Sequence, residues 1–317
     1  MLWAVTAYFN PAGYQTRLKN YRTFRKCLKA PLVAVEMSPE GRFQLQPNDA
    51  EVLVQLTGGD VLWQKERLLN IALKHLPADC DLVAWLDCDV VFHDNNWPER
   101  TRAALEKYRL VQLFSERCDL VAGADHDSPS PSAICSRYPA RAYRIATGHY
   151  NPEEEKDRSG IFLPGFSTPG LAWAARRDLL ERHGLYDARI VGGGDVAILC
   201  AALGEFAHFF GFHSMNERQL EHYRNWGQPL YAEVAGSVGY IGGRIFHLWH
   251  GEMRDRQYTM RQAGLLQAGF DPFLDIALDA GGLWRWNTNK PELHRYVRKY
   301  FALRNEDGPP RSPEISL

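Results

Sequence analysis

Apolar positions in the first third of the chain recur with two different periods. Leu2–Phe9, Leu32–Met37 and Glu51–Leu56 are short runs of apolar and β-branched residues, and they predict strands. Between the first two, Leu18, Tyr21, Phe24, Cys27 and Leu28 alternate with the basic residues of Arg17–Lys29. That pattern predicts a helix with one inward face and one solvated basic face. Asn10-Pro11-Ala12-Gly13 is the loop before this helix, and Thr57-Gly58-Gly59-Asp60 is a turn after the third strand. Leu69, Ala72, Leu73 and Leu76 then form a helical stripe that Pro77 stops. The next apolar run, Leu82–Phe92, has strand character throughout except for Asp87 and Asp89. Such alternation predicts an α/β fold whose central sheet is mostly parallel and flanked by helices, with ligands at the carboxyl ends of the strands.

The character changes between Asp125 and Gly170. Asp125-His126-Asp127-Ser128-Pro129-Ser130-Pro131 and Asn151–Gly160 are polar, and the whole stretch is rich in Pro, Gly and Tyr. It reads as a surface excursion or as a lid over an acceptor. Gly170–Ala175 returns to strand character, and Arg177–His183 reads as a short helix ended by Gly184. Gly192-Gly193-Gly194 precedes Asp195 and a helix through Leu203. Tyr240–Trp249 reads as the last strand, ending in His250-Gly251, with helical fragments beyond and a disordered tail expected over Asn305–Leu317.

Composition narrows the class. The chain is 45% hydrophobic and 24% charged, enough apolar residue to build a sizeable core. Its formal net charge of -1 leaves no basic surplus for phosphates, which argues against nucleic acid as a partner. No stretch has the length of a membrane span, and strand character begins at Leu2 with no basic segment ahead of it, so a cytoplasmic protein is expected. The six cysteines are dispersed, the pattern of reduced thiols rather than of a zinc site or a disulfide framework. Cys88 lies between the two aspartates, and strand alternation turns it away from them into packing.

Two carboxylates at the mouth of an apolar strand are costly unless a cation neutralises them. A divalent metal carrying a diphosphate suits them, because hard cations take carboxylate and phosphate oxygens. Three further pieces accompany the pair: a helix start with Lys65-Glu66-Arg67 and Asn70, the run Gly193-Gly194-Asp195, and His247-Leu248-Trp249-His250. In this order the four resemble nucleotide-sugar glycosyltransferases of the GT-A fold, most closely the β-1,4-galactosyltransferase type. Leu62–Ala72 is similar to that family's donor-site helix, and Asp87-Cys88-Asp89 to its Asp-Val-Asp. Gly170–Ala174, Gly184–Asp187 and Gly192–Asp195 follow in the order of its acceptor-side motifs. Trp249-His250-Gly251 stands at its late metal-binding His. Where the family has Gly-Gly-Glu-Asp, this chain has Gly193 and Gly194 before Asp195, so the acid that helps hold the acceptor sugar is missing.

The resemblance implies a metal-dependent transfer of a hexose or N-acetylhexosamine from a UDP-sugar to an acceptor hydroxyl. Glycan, lipid-linked and protein acceptors are all compatible with it. The expected division is a glycosyltransferase domain over 1–255 (a donor half to 120, an acceptor half after it), a helical extension over 256–304, and the tail. Asp89 is the expected direct metal ligand, with Asp87 meeting the ribose or holding the metal through water. His250 completes the set, with His247 as its rival, since two histidines three apart on a strand face opposite sides. An imidazole ligand favours manganese over magnesium. Asp195 is the expected general base, in an in-line displacement with inversion, and Asp187 is its runner-up. Phe9, Asn10 and Glu36 are expected around the nucleotide base, Lys65 and Arg67 at phosphate or uracil, Trp173 on a sugar face, and Gly193 where a substrate nears the backbone. A nucleotidyltransferase or sugar-nucleotide pyrophosphorylase is the rival enzyme class, although Asn10-Pro11-Ala12-Gly13 lacks the basic Gly-rich loop it normally brings. A silent sugar-binding protein on the same fold is the third reading.

Overall fold

The computed structural model describes residues 1–127, 129–151, 167–258 and 260–308. Strands form where β-branched and apolar runs stand: β1 (Leu2–Phe9), β2 (Leu32–Ser38), β3 (Val52–Thr57), β4 (Leu82–Leu86), β5 (Val90–Phe92), β6 (Leu110–Gln112), β7 (Glu116–Leu120), β8 (Ile134–Pro139), β9 (Ala172–Arg176), β10 (Val238–Tyr240), β11 (Arg244–His247), β12 (Ile276–Leu278) and β13 (Trp284–Trp286). Among the described residues seven of them make one sheet in the order β10-β6-β9-β4-β1-β2-β3. Pairings β1–β2, β2–β3, β1–β4 and β6–β10 are parallel, and β9 alone runs against its neighbours β4 and β6. This is the expected α/β architecture with a mixed, mostly parallel central sheet flanked by helices.

Burial on both faces explains why these strands read as continuous apolar runs. Val5, Val33, Val35 and Val83 belong to one core, which also takes Leu68, Leu69 and Ala72 of the helix Lys65–Leu73 and the almost wholly buried helix Gly194–Leu203. Ala4, Tyr8, Leu32 and Ala34, one residue out of step, face a second core with Tyr21 and Phe24 of the helix Gln15–Cys27. Lys19, Arg22 and Lys26 of that helix are exposed, as its spacing requires, whereas Arg17 turns to the buried Glu306.

The run Leu82–Phe92 is two strands rather than one. β4 belongs to the central sheet, whereas β5 joins a four-stranded sheet of order β5-β11-β7-β8. Asp87-Cys88-Asp89 is the crossing between the two sheets. Cys88 is nonetheless buried in the second core, as packing requires.

Two regions depart from expectation in content. Within the polar stretch, 129–151 contains β8 and a short helix, Arg141–Ala146, while 152–166, which hold most of the polar run 151–160, lie outside the described residues. The C-terminal extension carries the hairpin β12–β13 besides its helices Met260–Gln267 and Pro291–Leu303. Its Leu265, Phe270, Leu283, Leu293 and Val297 pack into the same core as Val5 and Val33, so it completes the fold rather than trailing from it. Glu306, within the expected tail, is 0% exposed, and 309–317 lie outside the described residues. No described helix is long and apolar enough to cross a membrane.

Candidate active site

A cleft of about 940 Å³ opens at the carboxyl ends of β1 and β4, within the size range of small-molecule sites. Phe9 and Asn10 reach it from the end of β1, Asp87 and Asp89 from the crossing after β4, and Lys65 and Glu66 from the first turn of a helix. Gly193 and Asp195 enter from the start of the helix Gly194–Leu203, and His247 and His250 from the end of β11.

Asp89, His247 and His250 come together, each offering one ligand atom within 4.8 Å of the others. Nε2 of His250 lies 3.4 Å from Oδ2 of Asp89 and 2.9 Å from Nε2 of His247. Both histidines converge because the strand ends at His247, so strand alternation no longer governs His250. The expectation that one of them would face away assumed a longer strand. Residue for residue the group suits a divalent transition metal, with one carboxylate and two imidazoles. Oδ1 of Asp89 is buried without a hydrogen-bond partner, the state of an acceptor waiting for a cation.

Surrounding groups distinguish the two imidazoles. On β7, beside β11, Asp119 stands opposite His247 in the parallel register and accepts from its Nδ1 at 2.8 Å. Burial alone would raise the Asp119 carboxyl, but His247, Arg117 and Ser136 outweigh it and hold it well below the usual range. A carboxylate on Nδ1 leaves the lone pair on Nε2 of His247, the arrangement that supports metal ligation. His250 is neutral, because burial and the nearby Arg256 guanidinium push its pKa well below the usual value. Arg256 donates to Nδ1 of His250, which places the His250 proton on Nε2, directed at His247. His250 must exchange that arrangement to bind metal through Nε2, and His247 need not.

On the same cleft, Lys65 Nζ lies 2.5 Å from Oδ1 of Asp87 and 2.9 Å from Oδ2 of Asp195. Burial would lower the Lys65 pKa, but Asp195, Asp87 and Glu66 outweigh it and raise it well above the ordinary value. Asp87 is pushed up to about 6 by burial, with Lys65 opposing and Asp195 and Asp89 adding to the rise. Burial likewise carries Glu66 up to about 8, against Lys65 and with Asp195. Asp87 and Asp195 thus share one ammonium, and Glu66 feels its charge without pairing to it. Asp195 sits in the first turn of its helix, whose N-cap is Gly193 rather than Asp195 itself. Gly193 has φ +115°, and a Cβ there would lie 2.4 Å from Cε1 of His213, so only glycine fits. A Cβ at Gly194 would lie 2.2 Å from Oε1 of Glu66, so Glu66 fills the space a side chain at 194 would take.

Several expected residues lie elsewhere. Glu36 is buried and spends its carboxylate on the backbone N–H groups of Gln44 and Leu45 and on Gln55, tying down a loop away from the cleft. Arg67 pairs with Asp187 at 3.1 Å, and Asn70 donates to the same carboxylate, so neither Arg67 nor Asp187 lines the cleft. Trp173 is 0% exposed and donates to the Pro169 carbonyl, a core tryptophan with no face toward a sugar. Asn10 lines the cleft while also bracing its own loop through Tyr14 and Gln44. Residues that sequence reasoning passed over also line it: Glu66, Asp119, Arg256 and the aromatic pair Trp63 and Phe301, whose rings stack at 6.3 Å. Trp63 and Glu66 lay within the quoted helix motif, but nothing in spacing marked which of its residues face inward.

No protein-family description matches the chain, and no curated protein sequence matches it. Among solved structures it is similar to glucosyl-3-phosphoglycerate synthase from Mycobacterium tuberculosis in complex with Mn²⁺, UDP and phosphoglyceric acid, at 12% identity and TM-score 0.40, covering 84% of this chain and 76% of that one. It is similar to 4-diphosphocytidyl-2C-methyl-D-erythritol synthase from Anaerococcus prevotii, at 11% identity and TM-score 0.31, covering 77% and 87%. It is also similar to the catalytic domain of Drosophila β1,4-galactosyltransferase 7 in complex with xylobiose, at 10% identity and TM-score 0.30, covering 75% and 64%. The likenesses are remote and extend to both transferase classes.

Proposed function

We propose that the chain is a metal-dependent glycosyltransferase that moves a hexose or N-acetylhexosamine from a UDP-sugar to an acceptor hydroxyl with inversion. One observation carries the reading: the cation-ready trio Asp89, His247 and His250 shares a single cleft with Asp195, a carboxylate held in place by Lys65. A divalent cation bound by the trio, manganese in preference to magnesium, supplies Lewis-acid stabilisation of the departing diphosphate. Phe9, Asn10, Trp63 and Phe301 offer a partly aromatic wall for the nucleotide base. Asp87 anchors Lys65 and meets the ribose or holds the metal through water. Asp195 accepts the proton of the acceptor hydroxyl as its oxygen attacks, and Lys65 orients that carboxylate before the acceptor arrives. The acceptor is a glycan, a lipid-linked precursor or a protein met in the cytoplasm, a setting in which the six unpaired cysteines stay reduced.

The test has two steps. Thermal stabilisation across a panel of UDP-sugars, with manganese and then with a chelator, identifies the donor through the ln(1 + [L]/Kd) dependence of stability. Turnover with that donor then separates the classes, because glycosyl transfer releases UDP and nucleotidyl transfer releases or consumes diphosphate. Absence of metal-dependent stabilisation by every UDP-sugar refutes the proposal. Stabilisation without turnover on any acceptor leaves a sugar-binding protein.

A further inference from the structure

The buried carboxyl that the proposed reaction leaves without a task is Glu66. It is 4% exposed, lines the cleft, and forms no ion pair among the described residues, its carboxyl being hydrogen-bonded to its own backbone. A carboxyl at the cleft wall with one local backbone contact keeps further donor and acceptor capacity for a molecule in the cleft. Its position is specified by the neighbouring backbone. Oε1, Cδ and Cγ of Glu66 lie 2.2, 2.3 and 2.5 Å from the point where a Cβ at Gly194 would stand. The glutamate therefore reaches from the helix Lys65–Leu73 into the side-chain volume of the residue directly preceding Asp195. Two carboxyl groups from different helices thus line one cleft, Glu66 in the space beside the residue before Asp195.

We propose that Glu66 is an acceptor-recognition residue that binds a second hydroxyl of the acceptor while Asp195 takes the reacting one. This deepens, and rests on, the glycosyl-transfer reading. It commits the acceptor to a class: a sugar or other polyol presenting neighbouring hydroxyls, in preference to the lone hydroxyl of a serine or threonine side chain. Burial pushes the Glu66 carboxyl up to about 8, so at neutral pH it donates as well as accepts, which suits a hydroxyl partner.

The experiment measures UDP release by the full chain with the donor found by thermal stabilisation, offering methyl glycosides and serine- or threonine-containing peptides as acceptors. Affinity for UDP with manganese is measured in parallel by calorimetry. The wild type is expected to use glycosides and to ignore the peptides. Glu66→Ala is expected to raise the acceptor KM roughly ten- to hundredfold, the loss of a hydrogen bond to a charged or proton-sharing group, with UDP affinity changed less than twofold. Glu66→Gln keeps the volume and guards against a folding defect; its KM should rise by a smaller factor. The double variant Glu66→Ala with Gly194→Glu returns a carboxyl to the same space from the other helix and should recover a large part of the loss. A filler role for Glu66 predicts no such recovery. An unchanged acceptor KM in a folded Glu66→Ala, or a wild type that prefers peptides, overturns the inference while leaving glycosyl transfer standing. A wild type that releases no UDP with any acceptor overturns the glycosyl-transfer reading first, and this one with it.

Discussion

Glu306 is a buried carboxylate whose removal should disturb both the stability of this molecule and, through Arg256, its metal site. It is 0% exposed and is surrounded by guanidinium groups, with Arg17 Nη2 at 2.5 Å, Arg304 Nε at 2.6 Å and Arg256 Nη1 at 3.6 Å. Burial alone would raise its pKa, but Arg17, Arg304 and Arg256 outweigh burial and lower it from 4.5 to about 2. At 1.36 kcal/mol per pH unit, that gap makes the ionised carboxylate worth about 3 kcal/mol to the folded state. Glu306→Gln removes the charge and leaves three buried cations without their counter-ion, a change that costs about 3–5 kcal/mol in comparable cases. Unfolding entropy near 2.1 cal/mol/K per residue gives about 0.7 kcal/mol/K for 317 residues, so Tm should fall by about 4–7 °C. The depressed pKa also sets the sign of the pH dependence. The stabilisation is complete above 4.5 and is lost as pH falls toward 2. Urea unfolding at pH 7 and pH 3 should therefore show the gap between wild type and Glu306→Gln shrinking by about 2 kcal/mol at the lower pH. A variant that melts within 1 °C of wild type, or a gap equal at both pH values, would refute the electrostatic account. Because Arg256 also donates to His250, the same variant should weaken manganese binding, which titration calorimetry reads directly.

Further expectations concern the site itself. Asp89→Ala should abolish manganese-dependent stabilisation by the UDP-sugar while the circular dichroism spectrum and the metal-free Tm stay close to wild type; retained metal-dependent stabilisation would remove Asp89 from the trio. Asp195→Asn should keep donor affinity and lose transfer by a factor of at least a hundred, and a loss of UDP affinity instead would count against its role as base. Asp119→Asn should lower metal affinity about 10–100-fold through His247, whereas an effect on Tm alone would make Asp119 a purely structural partner. Gly194→Ala should destabilise by about 1–3 kcal/mol through its contact with Glu66, and Glu66→Ala should relieve most of that loss in a double-mutant cycle of melting temperatures.

Much of this fold was legible in the sequence because its local signals agree with its tertiary setting. The apolar periods of Leu2–Phe9 and Leu32–Met37 and the stripe Leu69, Ala72, Leu73 are imposed by burial against a two-sided sheet, so they survive into the structure nearly unshifted. Asp87 and Asp89 announced themselves for the same reason, since unpaired carboxylates in an apolar run require a cation or a cationic neighbour. The cation legible in the structure beside Asp87 is Lys65, which spacing placed only on a helix upstream.

Other features depended on which distant residues meet. Glu36, Arg67 and Trp173 are of the right types for a donor site, yet each is occupied by a partner far away in sequence: the Gln44–Leu45 loop, Asp187 and the Pro169 carbonyl. A one-dimensional pattern carries no information about such pairings. The hydrogen-bond settings of His247 and His250 likewise rest on Asp119 and Arg256, neither of which carries a local signal. The chain by itself determined the alternating layers and the need for charge neutralisation at Asp87-Cys88-Asp89, because both follow from hydrophobicity and local spacing. Only the tertiary structure decided how the cleft's charges are shared, because that depends on long-range contacts, Glu66 beneath Gly194 and Glu306 among three arginines being the plainest of them.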